Sequence, residues 1–177
     1  MGDEQKPDVK RVRLTGARFD GGRLPVDSLV ELQKYQDVVR IAAVAEWRQE
    51  HPGEAVPDDL RNSVSLTIER IDEGSADVFL AFEQQQVYVQ YQVEAQDAAD
   101  SIIVAAYSGA IIPELPTLSP EEDIELRDTV SRLGETLKPD QSIEFYPDGP
   151  DSTPVSITIE TRRTAVEHLS RIEDFLL

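Results

Sequence analysis

The sequence predicts an α+β domain: an antiparallel or mixed sheet with helices packed on one face, in the order β-α-β-β-(β)-α-α-β-β-α. Three observations carry that expectation. Residues 63–82 form two runs of alternating apolar and polar positions around Asp72-Glu73-Gly74-Ser75, the pattern of a hairpin. Apolar residues recur at helical spacing over residues 26–50. A second pair of short runs, Ser142 to Tyr146 and Val155 to Ile159, brackets the turn signal Pro147-Asp148-Gly149-Pro150. Adjacent hairpins imply antiparallel pairing, with helices gathered on a face. A chain of 177 residues is long enough for one sizeable core. Residues 9–177 are therefore expected to form one domain behind a flexible segment 1–8, the candidate sub-boundary being the prolines of 113–120.

The elements follow in order. Val12 and Leu14 alternate with Arg11, Arg13 and Thr15, which fits a first strand with one basic, solvated face. Asp20-Gly21-Gly22 is a turn, and its glycines suit a tight passage from strand to helix rather than a phosphate loop, because the Lys and Ser/Thr of such a loop are missing. The helix expected over Val26–Glu50 has Leu29, Leu32, Tyr35, Val39, Ala42 and Ala43 on one face. Ser28 and Glu31 have the spacing of a capping box. His51-Pro52-Gly53 ends the helix, and Glu54 to Asn62 reads as a loop.

In the hairpin, Val64, Leu66 and Ile68 face Val78, Leu80 and Phe82. Val87, Val89, Tyr91 and Val93 then alternate with Tyr88, Gln90 and Gln92, which reads as a further strand. Asp97 to Ala110 predicts a buried helix, since Ala99, Ile102, Ile103 and Ala106 leave it little polar surface. Ser119-Pro120-Glu121-Glu122 is a helix start with Ser at N-cap, Pro at N1 and Glu at N3. Leu126, Val130, Leu133 and Leu137 form its apolar stripe. After the second hairpin, Thr164-Ala165-Val166-Glu167 resembles another capping box opening a last helix with Val166, Leu169, Ile172 and Leu176 inward.

The charge is the most unusual feature. Seventeen basic residues stand against thirty-five acidic ones, a formal net charge of −18. No Lys or Arg lies between Arg70 and Arg127, a window that holds twelve carboxylates. Such a surface repels nucleic-acid phosphates and anionic headgroups, so neither nucleic acid (for the main body) nor membrane is expected as a partner. Only Lys10, Arg11, Arg13, Arg18 and Arg23, clustered near the start, offer a nucleic-acid contact. The acidic balance favours a basic protein partner or self-association; solubility and adaptation to high salt would produce the same composition. The absence of cysteine excludes disulfides and thiolate chemistry. With no apolar leader and no run near the roughly 18 residues of a membrane span, a cytoplasmic location is expected.

Catalytic patterns are scarce. The two histidines, His51 and His168, are far apart, and neither has the i, i+4 partner of a zinc helix. No Ser stands in Gly-x-Ser-x-Gly. Carboxylates are the one catalytic currency in surplus: Asp97 and Asp100 share a helix face, and Glu121, Glu122, Asp123, Glu125 and Asp128 crowd two turns. Paired carboxylates hold Mg²⁺, but acidic residues early in a helix are also favoured by its dipole. A first strand, a helix opening on Leu24-Pro25 and a hairpin carrying Gly74-Ser75-Ala76 resemble bacterial domains of unassigned activity over residues 9–82, and that resemblance implies no site.

The expectation is a non-catalytic acidic interaction or regulatory domain, inhibitor- or antitoxin-like or a module of a larger bacterial assembly, needing no cofactor. Its candidate partner-binding residues are Glu121, Glu122, Glu125, Asp128, Tyr88 and Tyr91. The alternative is a small metal-dependent hydrolase using the clustered carboxylates.

Overall fold

The computed structural model describes residues 10–83 and 88–174. Five strands form one antiparallel sheet in the order β2-β3-β1-β4-β5: β1 (Lys10–Thr15), β2 (Leu66–Asp72), β3 (Ala76–Phe82), β4 (Ser142–Phe145) and β5 (Val155–Ile157). Five helices accompany it: α1 (Leu29–Glu50), the single turn α2 (Leu60–Ser63), α3 (Val89–Ser108), α4 (Pro120–Arg132) and α5 (Ile159–Asp174).

Strand β1 sits at the centre because both its edges are paired, Val12 opposite Val78 on one side and Phe145 on the other. Its alternation divides the two faces. Lys10, Val12 and Leu14 are buried towards the helices, whereas Arg11, Arg13 and Thr15 are half-buried on the opposite face. That opposite face is laced with its own contacts. Arg11 forms a two-pronged ion pair with Asp77 (2.7 and 2.8 Å) and lies over the Tyr146 ring, and Arg70 covers Phe79. The α+β layering expected from the hairpins is thus present, with the helices on the Val12 side.

The hairpin β2–β3 turns through Glu73-Gly74-Ser75, with Gly74 at φ 111°. Its register shifts between Ile68 and Arg70, a bulge at Glu69. Strict alternation would send Ile71 to the wrong face; one extra residue returns it opposite Val78, beside the core.

Helices α1 and α3 form the inner helical layer. Tyr35, Val38, Val39, Ala42 and Ala43 of α1 and Ala95, Ala99, Ile102, Ile103 and Ala106 of α3 are buried in one cluster with Val12, Leu14, Val78, Leu80, Ile143 and Phe145. The alanines allow the two helix axes to approach closely. Helix α4 is tied on through Tyr107, whose hydroxyl donates to the carbonyls of Val130 (2.9 Å) and Leu133 (2.7 Å) at the end of α4. A terminal pair of orphan carbonyls is satisfied there by a buried side chain.

Several boundaries differ from the sequence reading. The strand expected over Val87–Val93 is absent from the described part of that stretch: α3 begins at Val89, eight residues before the expected helix start at Asp97, and residues 84–87 lie outside the described residues. The alternation of Val and Tyr competes with a second pattern in the same letters. Tyr91, Ala95 and Ala99 follow i, i+4 spacing and all are buried, so packing decided for helix where β-propensity pointed the other way.

Residues 26–28 form a 3₁₀ turn before α1, and Ser28 makes no capping bond. Glu31, expected to close that capping box, is instead buried, accepting from Lys34 Nζ (3.0 Å) and from the Thr136 hydroxyl (2.9 Å). Helix α5 starts at Ile159, not Thr164, because Thr158 and Thr161 exchange side-chain and backbone bonds (2.7 and 3.2 Å) and form the start themselves. The short α2 occupies the end of the stretch read as a loop.

Candidate functional site

The acidic residues expected to meet a partner fall on α4. Its start is a complete capping box: Glu122 N–H donates to Ser119 Oγ (3.1 Å), and Ser119 N–H donates to Glu122 Oε1 (2.8 Å). Glu122 also pairs with Arg48 of α1. Burial pushes its carboxyl up, but the hydrogen bonds from Arg48 and Ser119 outweigh that and hold it below the ordinary value. Glu122 is therefore engaged in holding α4 to α1.

Glu121, Glu125 and Asp128 have a different setting. At i, i+4 and i+7 they form one stripe along α4, beside an open groove of about 390 Å³ between α4 and α5. The apolar part of the groove is Ile124, Val166 and Leu169. Ile124 is 58% exposed and Val166 37%, so two aliphatic side chains from α4 and α5 meet solvent beside the groove, while Leu169 is buried. Glu121 makes no ion pair among the described residues. Glu125 meets Arg61 at 3.2 Å and Asp128 meets Arg132 at 3.2 Å. Both pairs are exposed, so they hold their carboxylates weakly. Arg127 lines the same groove; its Nε donates to Asp123 (2.9 Å), and its Nη1 is buried with no partner among the described residues.

Tyr88 and Tyr91 do not lie on opposite faces of a strand. Tyr88 is the residue before α3, in left-handed conformation (φ 70°), and Tyr91 is in the first turn. Both join a small satellite core with Trp47, Val44 and Leu60. Tyr91 is buried and donates to Glu50 (3.0 Å); Tyr88 is partly exposed and donates to Asp59 (3.2 Å). His51 stacks on Trp47 at 4.4 Å with an interplanar angle of 11°. This aromatic group sits at the α1 C-terminus, α2 and the start of α3, and Arg61, next to Leu60, links α2 to Glu125 of the α4 stripe (3.2 Å).

Compared with protein-family models, curated proteins and solved structures, the chain matches none.

Of the basic residues near the start, Lys10, Arg11, Arg13 and Arg18 have carboxylate partners, Arg18 at the surface, whereas Arg23 is exposed and has no ion pair among the described residues. Lys10 is buried, with Nζ donating to Asp100 (2.8 Å) and to the Tyr146 carbonyl (3.0 Å). Tyr35 donates to the other Asp100 oxygen (2.8 Å). Burial pushes Asp100 above the ordinary carboxylate value, against the opposing effect of Lys10 and Tyr35. Arg11 is paired with Asp77, Arg13 with Ser75 and Glu144, and Arg18 with Asp27. This buried Lys-Asp-Tyr group went unread in the sequence, although Lys10 shares its alternation parity with Val12 and Leu14, the signal that places it inward.

His168 Nε2 lies 2.6 Å from the Ala110 carbonyl and ties α5 to the segment after α3. Among the described residues no group of three or more His, Asp or Glu is arranged to hold a metal ion, and no helix is long and apolar enough to cross a membrane.

Glu46 is among the other carboxyls that the fold perturbs. Burial pushes Glu46 up, and Glu94 and Glu50 add to it by like-charge repulsion. A carboxyl raised in the folded state contributes stability that is present while it is protonated and lost as pH rises through its folded pKa. Glu46→Gln should therefore raise the melting temperature by about 1–2 °C at neutral pH. The gain should vanish below the ordinary carboxylate range, as scanning calorimetry at several pH values would record. An equal gain at all pH values would remove the electrostatic explanation.

Proposed function

We propose that this chain is a non-catalytic acidic protein-interaction domain that recognises a basic protein through α4. The observation that carries the reading is the stripe Glu121, Glu125 and Asp128 running beside an unfilled apolar groove. A carboxylate row alone is a solvated helix face. Set against exposed Ile124 and Val166, it offers both contributions an interface needs: apolar area for affinity and charge for orientation and rate of encounter. The absence of Lys and Arg from residues 71–126 extends the same sign of field over much of the chain, which favours approach by a cation.

The reading is tested by recovering the tagged full chain from its native cell at low and at high salt, with mass spectrometry of what accompanies it. A basic protein retained at low salt and released at high salt is expected, since exposed charge pairs are screened over a few ångströms at high ionic strength. The triple variant Glu121→Gln, Glu125→Gln, Asp128→Asn should lose it while keeping the wild-type circular dichroism spectrum. If nothing salt-labile and basic is recovered, the proposal fails.

A further inference from the structure

Resting on that reading, we infer that the occupant of the α4–α5 groove is a basic amphipathic helix of about three turns, packed as an added member of the helical layer. The shape argues for a helix. The carboxylates at Glu121, Glu125 and Asp128 repeat at helical spacing along one wall, and exposed Ile124 and Val166, above buried core residue Leu169, supply an apolar strip beside them. A partner helix laid along that strip presents its own i, i+3, i+4, i+7 apolar row to the groove and its flanking positions to the wall. The wall from Glu121 to Ser131 measures about 15 Å of helix axis, the length of roughly ten helical residues.

The charge argues for the sign. Three carboxylates and a single guanidinium, that of Arg127, line the groove; Arg127 is engaged by Asp123 at Nε, and its Nη1 has no partner among the described residues. Lys or Arg on the flank of the partner helix would lie against Glu121, Glu125 and Asp128 and displace the exposed pairs with Arg61 and Arg132, which cost little to break. A second copy of this chain fits worse. Helix α4 itself carries five carboxylates and two arginines, so α4 against α4 would place like charges together. An extended strand fits worse as well, because both walls are helices whose backbone groups are already bonded within the helix.

The test uses two fluorescent probes of identical composition, each fourteen residues of leucine and lysine. One is patterned at helical spacing, the other in strict alternation. Fluorescence anisotropy against the full chain should give tighter binding of the helical probe, weakened by salt. The decisive variant is Ile124→Asp. It adds a carboxylate, so attraction by charge alone predicts tighter binding, whereas a groove contact predicts binding at least about tenfold weaker. Glu121→Lys with Asp128→Lys should weaken binding similarly. Glu69→Lys with Glu73→Lys, on the far hairpin, should leave it within about twofold, the spread expected for an exposed site away from the contact. The groove assignment is overturned if the alternating probe binds as well as the helical one, if Ile124→Asp binds equally or tighter, or if the hairpin variant loses as much as the α4 variant. Light scattering that finds a wild-type dimer made monomeric by Ile124→Asp overturns it in favour of a second copy. The two levels separate in the cellular recovery: if Ile124→Asp still retains the salt-labile basic partner, the groove assignment falls and the acidic-domain reading stands; if the wild type retains none, the reading itself falls.

Discussion

Replacing Lys10 with alanine is expected to cost about 3–5 kcal/mol of stability, the largest effect of any single surface-to-core charge removal in this chain. Lys10 Nζ bridges the Asp100 carboxylate and the Tyr146 carbonyl, so it joins β1, α3 and the end of β4 at one buried point. Lys10 and Asp100 are only 6% and 8% exposed in their side chains. Once the ammonium is gone, the Asp100 carboxylate keeps Tyr35 as its remaining donor and has no counter-charge. Burial already pushes this carboxyl up, and losing Lys10 pushes it further. The folded pKa of Asp100 then lies well above the unfolded one, so the variant gains relative stability as pH falls and loses it as pH rises through that folded value. Urea denaturation should therefore show the deficit largest at neutral pH and narrowing in acid. Lys10→Met with Asp100→Leu should recover most of the loss, because apolar groups of similar volume can replace a buried pair. It should not recover all, since the Tyr35 hydroxyl loses its bond to Asp100 and the Tyr146 carbonyl keeps only the longer bond from Gly149 N–H (3.4 Å). A deficit below about 1 kcal/mol, or one independent of pH, would mean that water reaches the pair.

What was legible in the sequence follows from how locally each feature is determined. The hairpin β2–β3 was readable because alternation and a Gly74 turn act within twenty residues. The start of α4 was readable for the same reason: Ser119, Pro120 and Glu122 satisfy the first turn among themselves, and all three do so in the fold. The other two capping-box matches were overruled by contacts distant in sequence. Glu31 is drawn to Thr136, 105 residues away, and α5 found a nearer cap in Thr158 and Thr161. The first part of α3 was misread because Tyr91 and Val93 favour a strand locally, while the buried row Tyr91, Ala95, Ala99 only has meaning beside α1. The acidic stripe of α4 was legible as helical spacing. Its groove was not, because Val166 and Leu169 come from α5, some forty residues on, and no pattern in either helix states that they lie together.

Gly134→Ala is expected to destabilise the fold by about 2–4 kcal/mol, far more than an exposed glycine replacement would. Two costs add. Gly134 follows the end of α4 at φ +84°, a region that costs an L-residue roughly 1–2 kcal/mol. It is also buried against the sheet edge, where an added Cβ would stand 2.6 Å from Ile157 Cγ2 and 3.2 Å from Leu137 Cδ1. Ile157 is fully buried in β5, so it cannot swing aside without disturbing the core, and such overpacking costs about 1–3 kcal/mol. The position fixes how the chain leaves α4, since Leu137 N–H donates to the Gly134 carbonyl (3.0 Å) and Thr136 next to it reaches Glu31. Gly53→Ala is the matched control. Gly53 also has positive φ, +80°, but nothing lies within 4 Å of its added Cβ. It should lose only the conformational part, about 1 kcal/mol. Equilibrium denaturation of both variants separates the two contributions, and equal losses would show that the close approach of Ile157 carries no cost. Because α4 forms one wall of the groove, the Gly134 variant should also bind the helical probe more weakly, whereas the Gly53 variant should bind it as the wild type does.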